Sequence, residues 1–414
     1  MQTPPADQHA GPSIPVGPGF VALYMAAQVG AYIAFIPLLT LLLPLKAEAI
    51  SPTGRTLALS HIALWGALTA GAAGVLAGII GDLTRHWPGG RSIWMIAGLA
   101  GTVTSYVLIH AAATHGDLMA AIVALQISLN FMLNPLAATL PERVPGRQKG
   151  LVAGFTGLAF PLSSLFGALV IGVWLTGETE RLMAVMLVTV VMVVPFIVMT
   201  FRAGPQSTSK QRLRPSLSAF ADRDFLIAFG SRLLVQTAVA LNVLYLLFFL
   251  DQETGFDRAL KGMRIEVAMA VLLATSTSLS VISGLTGGQI SDRTGRRRQL
   301  VFAGASLLAV GSLLMALVPL WPGPWFAQAI LGVGVGLYGI TDTVLVAEVL
   351  PDPADAGRDM GLMNVALTAA QVLAPLLGIV ALARFGDDLQ SIYLMAGLLA
   401  FAGGAAVMTI HRVR

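Results

Sequence analysis

Long runs of apolar residues, separated by short polar segments, make up most of this 414-residue chain. Twelve runs have roughly 20 to 27 residues, the length that a helix needs to cross the ~30 Å hydrocarbon core of a bilayer. Their approximate spans are 19–45, 57–81, 92–113, 117–140, 150–176, 181–201, 225–250, 265–290, 299–320, 325–350, 360–384 and 388–410. Backbone groups in lipid must pair within their own segment, so these runs favour helices. The pattern predicts an all-α membrane protein with twelve transmembrane helices.

The second half of the chain repeats short signatures of the first half at an interval of 210 residues. Gly78–Asp82 returns as Gly288–Asp292, and Leu140–Glu142 returns as Leu350–Asp352. In a membrane protein, two similar halves are typical of an alternating-access transporter that binds its substrate between them.

The longest internal polar stretch lies at the midpoint of the chain. We therefore predict four segments: a disordered cytoplasmic tail over 1–18, a six-helix bundle over 19–201, a cytoplasmic linker over 202–224 and a second six-helix bundle over 225–414.

Charged residues make up only 11% of the chain, against about 25% in soluble proteins. Of the 25 Lys and Arg residues, 17 lie on the side of the two termini, 7 lie on the opposite side, and Arg232 lies within a helix. This excess predicts that both termini are cytoplasmic, with a bacterial inner membrane as the expected location. The positive loops explain the pI near 9.6 without a nucleic-acid partner. The chain has no cysteine, which excludes disulfides and thiolate metal sites.

One loop signature carries a family resemblance. The sequence Gly288-Gln-Ile-Ser-Asp292-Arg293-Thr-Gly295-Arg296-Arg297, between the eighth and ninth helices, resembles the loop motif of the major facilitator superfamily. The first-half copy is degraded by an insertion, and it keeps Gly78, Gly81, Asp82 and Arg91. The junction of the fourth and fifth helices, 134–150, is similar to that of bacterial relatives of sucrose–proton symporters.

The resemblance implies that the first, fourth, seventh and tenth helices line a central cavity. An Asp at a helix end accepts hydrogen bonds from helix N-termini and pairs with Arg, so the motif is expected to latch one arrangement of the halves. The expected latch residues are Asp82, Arg91, Asp292, Arg293 and Arg296. The alternative is that the two Asp residues only fix the geometry of their loops.

Two charges lie well inside predicted helices, Arg232 in the seventh and Asp342 in the tenth. A charge within the membrane is costly and is by default a candidate for function. The two residues lie at similar depths, so they could meet in the cavity. Beside Arg232 the carboxylate is favoured, whereas in an apolar cavity the protonated form is favoured. Switching between these states predicts that Asp342 carries the coupled proton. The alternative is a static ion pair between the helices.

Uncharged polar residues recur at helical spacing and are predicted to bind substrate, because amides and phenols hydrogen-bond polar solutes well. In the first half these residues are Tyr24, Gln28 and Tyr32 on the first helix, and Gln126, Asn130 and Asn134 on the fourth. In the second half they are Gln236, Asn242, Tyr245, Tyr338, Asn364 and Gln371. The alternative is that they hold helices together.

These features predict a proton-coupled secondary transporter, a symporter of a small polar organic solute, with a sugar or glycoside as the best candidate. One alternative is a proton-driven exporter of amphipathic drugs or lipids. A second is a non-transporting membrane receptor or an intramembrane enzyme, although no nucleophile–base set is evident. No His pair has metal-ligand spacing and no phosphate-binding glycine loop is present, so we expect no metal and no cofactor. The expected partners are the solute, protons and the lipid bilayer, and the expected state is a monomer.

Overall fold

A computed structural model of the chain describes residues 15–84, 86–203, 218–349 and 356–411. Within these residues there are twelve helices long and apolar enough to cross a membrane and no strand, which confirms the predicted fold class. The helices are α1 Pro18–Ile50, α2 Arg55–Leu83, α3 Ser92–Ala111, α4 His115–Arg143, α5 Arg147–Trp174, α6 Glu178–Arg202, α7 Arg223–Glu253, α8 Ile265–Thr294, α9 Arg297–Leu317, α10 Gly323–Val349, α11 Asp359–Phe385 and α12 Leu389–Val407. Most of the predicted tail and of the predicted linker lies outside the described residues.

The pairing of helices in the first half recurs in the second half. Helices α1 and α6 pack together, as do α2 and α4, α3 and α4, and α3 and α6. Six helices later the same pairs recur as α7 with α12, α8 with α10, α9 with α10, and α9 with α12. Helices α1 and α7 are the most buried of the twelve, so they occupy the interior.

Glycines allow a close helix contact in the second half, between α8 and α10. A Cβ atom on Gly332 or Gly336 would collide with the backbone carbonyl oxygens of Ser276 or Ser280. Small residues of this kind let membrane helices approach until their backbones touch. The tight packing of α8 on α10 fixes the part of α10 that carries the functional residues described below.

The most extensive contacts between the two halves lie along three pairs of helices: α1 with α7, α2 with α11, and α5 with α8. We call the side where α1 begins and α12 ends the terminal face, and the other side the opposite face. Helices α1 and α5 each include a π-helical segment, Leu38–Leu42 and Gly167–Trp174, and these segments contact each other and the second half. Such segments are rare and are found often at functional sites.

Candidate transport site

A buried ion pair joins α7 and α10 in the second half. The Nε atom of Arg232 lies 3.0 Å from Oδ2 of Asp342, and the hydroxyl of Tyr338 donates to Oδ1 of Asp342 at 3.2 Å. Arg232 and Asp342 are only 7% and 3% exposed. Arg232 lies nine residues into α7 and Asp342 seven residues before the end of α10, about 14 and 10 Å from the terminal ends of the helices. The structure thus brings together the two intramembrane charges that the sequence singled out.

The ion pair leaves hydrogen-bond donors of the Arg232 guanidinium without an acceptor. Its Nε atom is close to the Asp342 carboxylate, but its N–H does not point at the oxygen, and both Nε and Nη1 are buried without a hydrogen-bond partner. The contact is therefore a charge–charge contact rather than a directed double hydrogen bond. A buried donor that lacks an acceptor is unfavourable, so this geometry leaves binding capacity on the guanidinium.

The three polar residues predicted on α1, which we call the α1 stripe, are one packed residue and two half-buried residues. Tyr24 is 1% exposed, and its hydroxyl donates to the carbonyl oxygen of Leu136 on α4 at 3.0 Å. Gln28 is half-buried and donates through Nε2 to the Tyr24 hydroxyl at 3.0 Å. Tyr32 is half-buried and packs edge-on against Phe160 of α5. Of the three residues, Gln28 and Tyr32 keep exposed surface.

The three polar residues predicted on α4, which we call the α4 stripe, lie beside α2. Gln126, Asn130 and Asn134 are half-buried, and the Asn130 and Asn134 amides donate to the carbonyl oxygens one turn earlier at 2.9 and 3.0 Å. A Cβ atom on Gly74 of α2 would lie 3.1 Å from Oδ1 of Asn130. Because each amide has two N–H donors and an oxygen acceptor, both asparagines retain capacity for a ligand.

Asn242 and Tyr245 lie further along α7, toward the opposite face. Asn242 Oδ1 accepts from Gln328 Nε2 of α10 at 3.0 Å, and the Tyr245 hydroxyl lies 2.6 Å from Ser60 Oγ of α2. Both residues are buried, and Tyr245 is about 20 Å along the helix from Arg232. The structure therefore places these two in helix contacts, away from the ion pair, whereas Gln236 lies one turn from Arg232 and is half-buried.

Helix α11 presents its polar residues on an exposed face. Asn364, Thr368 and Gln371 are exposed, and a Cβ atom on Gly71 of α2 would lie 3.2 Å from the Thr368 methyl group. The face that carries them is therefore directed toward the first half, at the α2–α11 contact.

The loop motifs form ion pairs within each half. In the first half, Arg91 pairs with both Asp82 and Glu142, at 2.7 Å for Glu142. In the second half, Arg297 pairs with Glu348, which lies in the last turn of α10. Sequence reasoning missed the partners Glu142, Glu348 and Arg297. The sequence contained a signal for the two acids. Glu142 lies near the end of α4, two helices after Asp82, and Glu348 lies near the end of α10, two helices after Asp292.

The remaining predicted latch residues of the second half, Asp292, Arg293 and Arg296, are exposed and form no ion pair with the part of the chain that the structure describes.

A set of arginine contacts joins the halves at the opposite face. Arg55 of α2 pairs with Asp251 of α7, and Arg181 of α6 pairs with Glu266 of α8 at 3.0 Å. Arg264, next to α8, donates to the last carbonyl oxygens of α5, at 2.7 Å for Val173. The Arg55–Asp251 and Arg181–Glu266 contacts are the ion pairs that cross between halves among the described residues, and both lie at the opposite face, as do the Arg264 hydrogen bonds. We call them the opposite-face gate, and this gate is closed.

Solved structures with the same fold include several transporters. The chain aligns with the nucleoside transporter NupG at a TM-score of 0.68 and 14% identity, over 94% of this chain and 99% of that one. It aligns with the peptide transporter POT in complex with sulfate at a TM-score of 0.72 and 12% identity, over 97% and 96%. A bacterial homologue of the human lysosomal transporter Spinster, in an inward-facing and occupied conformation, aligns at 0.69 and 13% identity, over 96% and 97%. At these identities the likeness concerns the fold.

Two curated relatives match a short part of the chain. Probable polyol transporter 4 of Arabidopsis thaliana is 30% identical over 89 residues, and polyol transporter 5 of the same plant is 35% identical over 86 residues. These matches span 22% and 21% of this chain and only 17% and 16% of the relatives.

A family comparison covers the chain as a whole. The sequence model of the Major Facilitator Superfamily matches residues 19–353 and again residues 225–414. The match includes both copies of the repeated loop signature, and the aligned folds belong to membrane transporters. The chain therefore belongs to the Major Facilitator Superfamily, and it is a membrane transporter rather than an enzyme.

Proposed function

We propose that this transporter is a proton-coupled symporter of a small, polyol-like or sugar-like solute. The observation that carries the proposal is the buried Arg232–Asp342 pair, 3.0 Å apart in the interior of the second half. A carboxylate with a single, poorly directed arginine contact can exchange its proton with little rearrangement. The carboxylate also lies inside the membrane-spanning region, where its protonation changes the net charge beside Arg232.

The proposed solute would lie between the ion pair and the amide stripes of the first half. Gln28 and Asn134 lie about 15 and 14 Å from the terminal ends of α1 and α4, which matches the depth of Arg232. The half-buried amides offer both donors and acceptors, as a solute with several hydroxyl groups requires. The short resemblance to two polyol transporters supports the same class of solute.

The proposed cycle alternates between two arrangements of the halves. In the structure the opposite-face gate is closed, so the solute would enter or leave by the terminal face. The excess of Lys and Arg at the terminal face supports a cytoplasmic terminal face. The state described would then be inward-facing, in a monomer of a bacterial inner membrane.

The proposal is tested by uptake into proteoliposomes that contain the full chain, with and without an imposed pH gradient, over a panel of polyols, sugars and their derivatives. We expect that Asp342→Asn abolishes accumulation driven by the gradient and retains exchange of the solute between equal pools. The matched control is Asp387→Asn, which removes the same charge from the exposed loop between α11 and α12. If Asp342→Asn still concentrates the solute, Asp342 does not carry the proton.

A further inference from the structure

The charges around Arg232 balance only while Asp342 is ionised. The nearest other acid on α7 is Asp224, eight residues before Arg232 and about 12 Å from it along the helix axis. The nearest other acid on α10 is Glu348, six residues after Asp342 and about 9 Å from it. Asp224 accepts from the His411 backbone N–H at 3.2 Å, and Glu348 pairs with Arg297. Both acids are therefore engaged at the ends of their helices.

The helices packed around the pair supply no second counter-charge at its depth among the described residues. Glu266 of α8 lies at the opposite face and pairs with Arg181, and Asp359 begins α11 at the terminal face, where it also has a partner. The polar residues that α1 and α4 carry at the depth of the pair, Gln28 and Asn134, are neutral amides. A proton on Asp342 therefore leaves the Arg232 guanidinium without a neutralising group, and a lone charge in the membrane interior is costly.

We infer that the solute supplies the missing charge: it is a polyhydroxylated monocarboxylate, of the aldonate or uronate type, whose carboxylate binds Arg232 when Asp342 is protonated. The inference rests on the proposed proton coupling and deepens it. Arg232 Nη1 is buried without an acceptor, and a carboxylate is the group that matches a guanidinium edge with two parallel hydrogen bonds. The hydroxyl groups of the same solute would meet the half-buried amides Gln28 and Asn130.

This chemistry explains how the proton and the solute are coupled. The protonated Asp342 and the solute carboxylate are bound together, and the charge of the site then stays at zero. When Asp342 releases its proton, its own carboxylate competes for Arg232 and displaces the solute. A neutral polyol provides no such exchange, because Arg232 would be left alone in the loaded state.

The test compares gluconate with sorbitol, two six-carbon chains that differ at one terminus by a carboxylate in place of a hydroxymethyl group. Affinities are measured by calorimetry on the full chain in detergent. For the wild type we expect gluconate to bind at least tenfold more tightly than sorbitol, and more tightly at acidic pH. For Asp342→Asn, which keeps Arg232 free, we expect gluconate binding that is at least as tight and independent of pH. Arg232→Lys keeps the charge but not the paired donors, and we expect it to weaken gluconate tenfold or more and to leave sorbitol unchanged.

Equal affinities for the two compounds in the wild type, or no gluconate binding to Asp342→Asn, would overturn the inference. Uptake of sorbitol under a pH gradient, without uptake of gluconate, would also overturn it and leave the proposed symport intact. Conversely, if gluconate binds through Arg232 but its uptake ignores the gradient, the proposed proton coupling fails and the assignment of the solute class stands. Asp387→Asn is again the control, and its affinities should equal those of the wild type.

Discussion

Arg181 of α6 and Glu266 of α8 join the two halves of the chain across 85 positions of sequence, with Nη2 and Oε1 3.0 Å apart. The Arg181 side chain is 5% exposed, so this is a largely buried pair at the opposite face. Because the partners belong to different halves, the contact can exist only while the halves are closed together on that side. The pair therefore links the free energy of one ion contact to the arrangement of the whole molecule.

Loss of this pair is predicted to open the opposite face. Glu266→Gln leaves Arg181 buried without a counter-charge, which costs about 3–5 kcal/mol in the closed state and much less once the halves separate. We expect faster maleimide labelling of a cysteine placed at Ser164, which is buried against Thr277 at the α5–α8 contact. Since the chain has no cysteine of its own, this reporter is the sole thiol.

The matched control for this prediction is Glu178→Gln. Glu178 lies on the same face and pairs with Lys46 at 2.7 Å, but both residues belong to the first half. It should leave the labelling rate at the wild-type value. Equal rates in Glu266→Gln and Glu178→Gln would show that the Arg181–Glu266 pair does not hold the gate.

Asp292 is predicted to latch the other arrangement, in which the terminal face is closed. It is exposed and forms no ion pair with the described residues in the present arrangement, so its partner would be met only when the halves rotate. An exposed charged contact contributes about 1 kcal/mol at most, roughly a fivefold change in population. Asp292→Ala should therefore raise labelling of a cysteine at Thr343 of α10, from the terminal face, by up to about that factor. Unchanged labelling, as expected for Asp387→Ala, would count against the latch.

Gln28 and Asn130 are predicted to bind the solute. Loss of one hydrogen bond to a hydroxyl group costs about 0.5–1.5 kcal/mol, roughly a two- to tenfold loss of affinity. Gln28→Ala and Asn130→Ala should lower affinity at a nearly constant melting temperature in detergent. Thr189→Val is the control, since the Thr189 hydroxyl donates to the Gly30 carbonyl oxygen between α6 and α1 and should affect melting alone. If the two alanine variants behave like Thr189→Val, the stripes hold helices together.

The contact of α8 with α10 is predicted to tolerate no side chain at Gly336. A Cβ atom there would collide with the carbonyl oxygen of Ser280, and overpacking of this kind typically costs about 1–3 kcal/mol. Gly339 is three residues away on α10, and a Cβ atom there would meet nothing within 4 Å. Gly336→Ala should lower the melting temperature in detergent, and Gly339→Ala should leave it unchanged or raise it. A similar effect of both substitutions would contradict the packing described.

Features that depend on the composition of one segment could be read from the sequence. The twelve helices follow from the length of the apolar runs, because lipid forces each run to satisfy its own backbone hydrogen bonds. The family followed from the loop signature around Asp292. The candidate ion pair followed from the rarity of charges such as Arg232 and Asp342 inside membrane helices.

Only the tertiary structure decided which of these side chains meet, and the reason is the apolar solvent. A membrane helix is apolar on all sides, so its sequence does not mark the face that packs. In a soluble helix, by contrast, the apolar stripe marks that face. The sequence of α1 thus showed that Tyr24 and Gln28 lie one turn apart. It did not show that the Tyr24 hydroxyl donates its hydrogen bond to α4. In the same way, the contact of Arg55 with Asp251, 196 positions away, depends on how the two halves rest against each other. That arrangement is set by the sum of many weak contacts between helices, and no local pattern of residues records it.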